Sequence, residues 1–188
     1  MFNTKAFCSL VLRPEVPLGV VPTVKERIKK PKKLKIKDMT PKQKELLIDS
    51  DNFCMLPWMH LHAFPDGRAY PCCFALDKLP VGNVNENSME EVFNGEKMKQ
   101  MRLNMLANKP SRECFKCYDQ EKSGFFSLRL SSNKHFGHLV DMVDTTKADG
   151  SADFVIKYWD IRFSNLCNMA CRSCGTWFSS NWYEDHKK

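Results

Sequence analysis

Three cysteines near the carboxyl end of the chain have the spacing of a metal-cluster loop. They are Cys167, Cys171 and Cys174, separated by three and then two residues. Three thiolates on one short loop can hold three corners of a cubane iron–sulfur cluster, because cysteine thiolates are the usual ligands of such clusters. With no fourth thiolate on the loop, one iron keeps an open coordination position at which a substrate can bind. A zinc site and unliganded thiols are the alternatives for this pattern.

A second group of cysteines lies in the middle of the chain. Cys54 precedes a predicted hairpin, Cys72 and Cys73 follow it, and Cys114 and Cys117 form a C-x2-C pair. Two thiolates from the ends of a hairpin and two from a tight turn could hold either a tetrahedral zinc ion or an iron–sulfur cluster. The spacing alone distinguishes neither the two metals nor Cys72 from Cys73.

The hairpin must bring the ends of its two strands together for such a site to form. Residues 59–64 alternate roughly between apolar and polar, residues 65–67 (Pro-Asp-Gly) supply turn chemistry, and residues 68–70 begin the return strand. His60 and His62 could be metal ligands. Alternating positions on a strand more often hold exposed or core residues, and that is the interpretation we favour for both.

Capping signals predict helices on either side of the hairpin. Thr40 and Pro41 start a short helix that runs to Ile48, and Ser88 with Glu91 forms a capping box. A further amphipathic stretch follows, and we expect its apolar side chains to fill the core. This apolar set is Met98, Met101, Leu103, Met105 and Leu106.

The cysteine loop near the carboxyl end is predicted to follow a strand. Residues 154–163 have the β-branched and aromatic content of a strand, and residues 145–151 have the composition of a loop that marks a domain boundary. The predicted fold class is α+β. We expect an extended arm and basic linker at 1–37, a hairpin-plus-helices domain at 38–150, and the start of a second domain at 151–188.

The formal net charge of +7 comes from one segment. Residues 25–37 hold eight Lys or Arg and one Glu, so the rest of the chain is neutral. Such a run could contact nucleic acid or an acidic partner. It has no interleaved aromatic residues for base stacking, so a solvated linker is the favoured interpretation and nucleic acid is not the expected partner.

Cysteine content and hydropathy predict the compartment. The chain has nine cysteines, no stretch near the ~18 to 20 apolar residues that span a bilayer, and no signal-peptide pattern at its start. We therefore predict a cytoplasmic protein without a membrane partner, in which clustered cysteines are metal ligands or catalytic thiols more often than disulfides. Cys8, which stands alone, is interpreted as a small buried hydrophobe.

The loop near the carboxyl end resembles the cluster loop of the radical SAM superfamily. The resemblance lies in the sequence Ser-Asn-Leu-Cys-Asn-Met-Ala-Cys-Arg-Ser-Cys-Gly directly after the predicted strand. It implies that Cys167, Cys171 and Cys174 bind a [4Fe-4S] cluster whose open iron chelates S-adenosylmethionine. Reductive cleavage would then give methionine and a 5′-deoxyadenosyl radical that abstracts a substrate hydrogen.

The same resemblance implies a partial (β/α) barrel in the second domain. The chain up to Lys188 would hold only its first strand, its cluster loop and the start of its first helix at 178–186. We therefore expect the chain to be a fragment, truncated before most of the barrel and inactive by itself.

The middle of the chain, residues 53–120, is similar to the SPASM/twitch auxiliary-cluster domain of radical SAM maturases. The resemblance rests on Cys-Met-Leu-Pro-Trp, Pro-Asp-Gly, Pro-Cys-Cys and Val-Gly-Asn-Val, on the capping box, and on Arg102 ahead of the C-x2-C pair. Because no cysteine lies between Cys117 and Cys167, the one-cluster twitch form fits. By position, the resemblance implies an auxiliary iron–sulfur cluster bound by Cys54, Cys72, Cys114 and Cys117.

The order of the two segments, auxiliary domain first, is similar to that of radical SAM proteins of phage. The resemblance implies an enzyme of the radical SAM oxidoreductase or maturase class. Its partners would be an electron donor such as flavodoxin or ferredoxin and a peptide or small-molecule substrate. The alternative is a zinc-stabilised module that binds nucleic acid or protein without catalysis.

Overall fold

The computed structural model describes residues 35–160, 164–176 and 178–186. The predicted arm with Cys8 and most of the basic run lie outside these residues, and so do the last three residues of the predicted strand at 154–163.

The first described α-helix begins where its capping signals predict. α1 spans Pro41–Lys44, and a π-helical stretch, Glu45–Asp49, continues it. The Thr40 hydroxyl accepts a hydrogen bond from the backbone N–H of Gln43, whose side chain accepts one from the backbone N–H of Thr40. This reciprocal pair satisfies two N–H groups that the first turn leaves unpaired.

The predicted hairpin is formed and is joined by a third strand. In the antiparallel order β1-β2-β3, His62 lies opposite Tyr70 and Arg68 lies opposite Asn83. The first strand is shorter than predicted because the backbone N–H groups of Met59 and His60 donate back to the Leu56 oxygen and so continue the 3-10 turn Leu56–Trp58. The strands are β1 (His62–Ala63), β2 (Arg68–Tyr70) and β3 (Gly82–Asn83).

Helices make up most of the remaining described structure. The capping box of Ser88 and Glu91 is confirmed at the start of the second helix. A turn at 146–151 follows the last helical stretch of this region, as the loop prediction expected. The helices are α2 (Met89–Phe93), α3 (Glu96–Leu106), α4 (Phe115–Lys122) and α5 (Leu128–Phe136), with 3-10 helices at Arg112–Cys114 and Gly137–Thr145.

The core lies between the hairpin and α3. Met98, Met101 and Met105 are buried along α3, as predicted, and pack in one cluster with the aromatic side chains of the hairpin region. Arg102 on the same helix is also fully buried, which the sequence did not predict. Its guanidinium donates to the backbone oxygens of Pro57, Phe93 and Gly150 and to the Asn94 side-chain oxygen. Arg102 thus crosslinks four chain segments through the core.

The strand predicted at 154–163 is wrong for its described part. Residues 154–160 form no strand, and their backbone is fixed instead by the N–H groups of Lys157 and Tyr158, which donate to the Met59 oxygen at 3.0 and 3.3 Å. Alternate side chains pack on the core of the preceding region: Ala152, Phe154, Ile156 and Tyr158. The β-branched and aromatic side chains of this segment therefore pack on the core, while its described backbone does not pair with another strand. The domain boundary placed near residue 150 stays a prediction.

The carboxyl-terminal described residues form a loop followed by two short helices. These are the 3-10 helix Ser180–Trp182 and the α-helix α6, Tyr183–His186. They lie within the range predicted for a first helix at 178–186, while the partial barrel stays a prediction. In the described part of the chain, no helix is both long and apolar enough to cross a membrane.

Candidate metal centre

Four of the five cysteines in the middle of the chain line one cavity. Cys54 lies just before the 3-10 turn and Cys72 lies two residues after β2, so the hairpin brings these two together as predicted. Cys114 ends a 3-10 turn, and Cys117 lies in the first turn of α4. The rest of the wall is mostly apolar: Leu56, Phe74, Ala75 and Leu128, with Glu113 and Arg129 as its charged members.

The structure distinguishes Cys72 from Cys73. Cys72 is half-buried and lines the cavity, whereas Cys73 is exposed and is not part of the cavity wall. The chain turns sharply after β2, and the backbone N–H of Ala75 donates to the Cys72 oxygen at 3.3 Å. This turn directs the two neighbouring side chains differently, so that the geometry favours Cys72 for a ligand set with Cys54, Cys114 and Cys117.

The four thiols lie on the wall of one cavity. Among the described residues, no group of three or more His, Cys, Asp or Glu is arranged to hold a single metal ion. A tetrahedral zinc ion with Zn–S bonds of about 2.3 Å would require four sulfurs packed around one centre. In an iron–sulfur cluster each thiolate binds its own iron, so the sulfurs are held apart by the width of the cluster. Four thiols on one mostly apolar cavity wall are a donor set that an iron–sulfur cluster uses.

Burial controls the protonation of these thiols. Desolvation raises the pKa of Cys72 to about 12 and raises the pKa of Cys54, Cys114 and Cys117 as well. The thiols are therefore protonated at neutral pH when no metal is bound, and binding of a metal would release their protons.

Backbone N–H groups partly oppose this effect of burial. The N–H groups of Leu56, Phe74 and Arg129 point at the sulfurs of Cys54, Cys72 and Cys117 and lower the pKa of these thiols. Such hydrogen bonds stabilise the thiolate, which is the form that binds a metal.

Helix α5 fixes the backbone around Cys54, although sequence reasoning gave it no role. The Asn133 side chain accepts from the Met55 N–H at 3.0 Å and donates to the Phe53 oxygen at 2.9 Å, and so holds the backbone on both sides of Cys54. The Arg129 guanidinium donates to the same Phe53 oxygen at 3.1 Å. The only sequence signal for this helix is Ser127, which caps it by accepting from the Leu130 N–H at 3.2 Å.

The second cysteine group lies on a loop with little burial. Cys167 and Cys171 are exposed and Cys174 is half-buried. The Cys174 N–H donates to the Cys171 oxygen at 3.0 Å, which makes a turn of the last two cysteines. This group also does not converge on a single-ion site in the described residues.

Hydrogen bonds from the following residues close this loop. The Ser179 hydroxyl donates to the Met169 oxygen at 2.7 Å, and the Ser180 hydroxyl accepts from the Cys167 N–H at 3.3 Å. The Ser180 N–H also donates to the Asn165 oxygen at 2.8 Å. The loop is thus folded back on the turn that precedes α6 by local contacts.

His60 and His62 are core residues, as we favoured from the sequence. Both are buried, and neither lines the cavity. The His60 ring stacks on Tyr158 with centroids 4.5 Å apart, and its Nδ1 lies 3.0 Å from the Tyr158 oxygen. His62 Nδ1 lies 2.9 Å from the Asp160 carboxylate. The two histidines therefore hold the segment that leads to the second cysteine loop.

Comparison with known proteins gives one match. Residues 54–118, about a third of the chain, match the family model of SPASM, described as an iron-sulfur cluster-binding domain. The match begins at the first cavity cysteine and ends one residue after the last. No curated protein and no solved structure matches the chain. The segment that carries the four-thiol cavity is thus similar to the SPASM iron-sulfur cluster-binding domain.

Proposed function

We propose that the thiols of Cys54, Cys72, Cys114 and Cys117 bind one iron–sulfur cluster. The observation that carries this proposal is that these four thiols line a single, largely apolar cavity in the segment that matches the SPASM domain. The apolar wall limits access of water, and backbone N–H groups at three of the sulfurs stabilise the thiolates. Both properties suit a cluster that must survive in water.

We further propose that the chain carries a radical SAM site at Cys167, Cys171 and Cys174. The support is the C-x3-C-x2-C spacing and the neighbouring SPASM match, since SPASM domains occur in radical SAM enzymes. A [4Fe-4S] cluster there would supply reductive cleavage of the sulfonium bond of S-adenosylmethionine. The three thiols would hold the cluster, and the loop contributes no fourth cysteine. The half-buried Cys174 and the hydrogen bonds of Ser179 and Ser180 orient the loop.

The partners follow from this second proposal. A radical SAM site takes electrons from a small redox protein, such as flavodoxin or ferredoxin. The substrate class that we propose is a peptide or small molecule, as in the SPASM and twitch relatives.

Anaerobic reconstitution tests the first proposal. The full chain is incubated with iron and sulfide, and protein-bound iron and sulfide are counted for the wild type and for Cys72→Ala and Cys73→Ala. We expect Cys72→Ala to lose the iron of one cluster and Cys73→Ala to keep it. Equal loss in both variants, or a colourless wild type with stoichiometric zinc, would overturn the assignment and would favour a zinc-stabilised binding module.

Reductive cleavage of S-adenosylmethionine tests the second proposal. The reconstituted full chain, reduced with dithionite, should form methionine and 5′-deoxyadenosine, and Cys171→Ala should not. S-adenosylmethionine binding by the wild type, lost in Cys171→Ala, is measured in parallel because binding does not require turnover. A wild type that holds a cluster on this loop and neither binds nor cleaves S-adenosylmethionine would refute the proposal.

A further inference from the structure

A buried ion pair forms part of the support for the four-thiol cavity. Arg129 lines the cavity, and its side chain is 5% exposed. Its guanidinium forms a bidentate ion pair with the Glu121 carboxylate, in which Nε donates to Oε1 at 2.9 Å and Nη2 donates to Oε2. The Ser127 hydroxyl donates to the same carboxylate. Both members of the pair lie beyond residue 118, where the SPASM match ends.

The two charges of this pair act on thiols of the cavity with opposite signs. Arg129 acts electrostatically on Cys54 and Cys117, and Glu121 acts on Cys117 with the opposite sign. The backbone N–H of Arg129, at the free amino end of α5, also points at the Cys117 sulfur. In a poorly solvated site such charges interact strongly, because little water screens them.

We propose that Arg129 and Glu121 set the reduction potential of the iron–sulfur cluster held in this cavity. The inference rests on the proposed cluster at Cys54, Cys72, Cys114 and Cys117. One-electron reduction adds a negative charge to the cluster, so the guanidinium stabilises the reduced form and raises the potential. The carboxylate has the opposite effect. The pair holds the potential between the values that either charge alone would give.

The contacts of Arg129 and Glu121 hold both charges in fixed positions. The guanidinium has two further partners, the backbone oxygens of Ser50 and Phe53 at 3.0 and 3.1 Å, and so is fixed in place next to Cys54. A fixed charge at constant distance gives a defined potential, whereas a mobile surface lysine would not. Glu121 keeps the arginine charge from being buried without a counter-ion, which would be costly.

The test uses the full chain with Cys167, Cys171 and Cys174 all changed to Ala, so that one cluster remains. It is reconstituted with iron and sulfide, and its midpoint potential is measured by an anaerobic titration with dithionite. In this background Arg129→Gln should lower the potential and Glu121→Gln should raise it. Each should change the ratio of reduced to oxidised cluster at fixed potential about tenfold, or ~59 mV for one electron. The double variant should lie near the parent.

Two controls separate charge from structure. Arg129→Lys keeps the charge and loses the bidentate contact. The potential of its cluster should therefore stay near that of the parent, even if the stability of the variant falls. Lys42→Gln removes one charge of an exposed ion pair with Asp144, away from the cavity, and should shift nothing. Shifts of the same sign in both single variants, or a Lys variant shifted as far as the Gln variant, would overturn the inference. A parent that holds no cluster would instead refute the proposed function.

Discussion

The two cysteine groups of this chain are held in different ways. The middle group lies in a cavity whose wall comes from the segments that flank the hairpin, from the start of α4 with the turn before it, and from α5. Contacts between residues distant in sequence hold these segments together. The group near the carboxyl end lies on one loop, with two exposed cysteines and hydrogen bonds between residues close in sequence, such as Cys167 with Ser180 and Met169 with Ser179. The first site is therefore built by tertiary structure, and the second by local structure. Changes that affect the fold should alter the first site and leave the second largely intact.

The largest effect should come from removing one cysteine of each group. Cys117→Ala should lose the iron of one cluster and lower the free energy of unfolding of the reconstituted protein by at least ~4 kcal/mol, because cluster binding and folding of the cavity are coupled. Cys171→Ala should lose the iron of the other cluster with no change in the main unfolding transition. Iron analysis and urea unfolding of both variants measure this. Loss of all iron in either variant would show that the sites are not separate.

The next largest effect is expected at Arg102 in the core. Arg102→Met fills the space but leaves the buried backbone oxygens of Pro57, Phe93 and Gly150 without this donor, so the free energy of unfolding should fall by about 3 kcal/mol. Urea unfolding at neutral pH measures the loss. The matched control is Arg172→Met in the exposed loop, which should change stability by less than about 0.5 kcal/mol. Similar losses in both variants would contradict the contrast between the regions.

Asn133 provides a smaller, local test of the support from α5. Asn133→Ala removes two buried hydrogen bonds beside Cys54 and should lower the free energy of unfolding by about 2 kcal/mol. Ser179→Ala removes the hydrogen bond to the Met169 oxygen that closes the second loop. It should speed amide hydrogen exchange within residues 164–176 without moving the urea midpoint. A shift of the midpoint in the Ser179 variant would show that the loop is coupled to the core.

The smallest effect concerns pH and the segment that joins the two regions. Burial lowers the pKa of His60, with the Tyr158 oxygen and the Asp160 carboxylate acting in the opposite direction. The unfolded chain therefore takes up a proton near pH ~6.5 that the folded protein binds only at lower pH. Stability from this group is complete above that pH and falls as the pH drops through the lower, folded-state pKa.

Replacement of the imidazole isolates this contribution. His60→Gln should show a smaller loss of stability between neutral and mildly acidic pH than the wild type, measured as the difference in urea midpoints. His135→Gln, on an exposed part of α5, serves as the control for loss of one imidazole. An unchanged pH dependence in the His60 variant would refute this linkage.

Much of the cavity was predictable from local sequence signals. The turn chemistry of residues 65–67 and the capping residues Thr40 and Ser88 act over a few residues, so the hairpin and two helix starts were predicted correctly. The hairpin in turn placed Cys54 near Cys72. The choice between Cys72 and Cys73 needed the structure, because it depends on the direction of the turn after β2.

Many of the contacts that sequence reasoning missed join residues distant in the chain. Arg102 was seen only as part of a family pattern, and its burial depends on oxygens from three other chain segments. The contributions of Arg129 and Asn133 connect residues more than 75 positions apart, as their hydrogen bonds to Phe53 show. The strand at 154–163 was predicted from composition, which does not reveal whether a segment has a neighbouring strand or a core to pack against.

The central claim is that the middle cysteines bind an iron–sulfur cluster independently of the loop near the carboxyl end. The most direct measurement is the content of iron, sulfide and zinc in the full chain with Cys167, Cys171 and Cys174 replaced by Ala, purified without oxygen. The cavity described above predicts a brown protein that retains the iron and sulfide of one cluster. A colourless protein with one zinc ion per chain and no bound sulfide would contradict it.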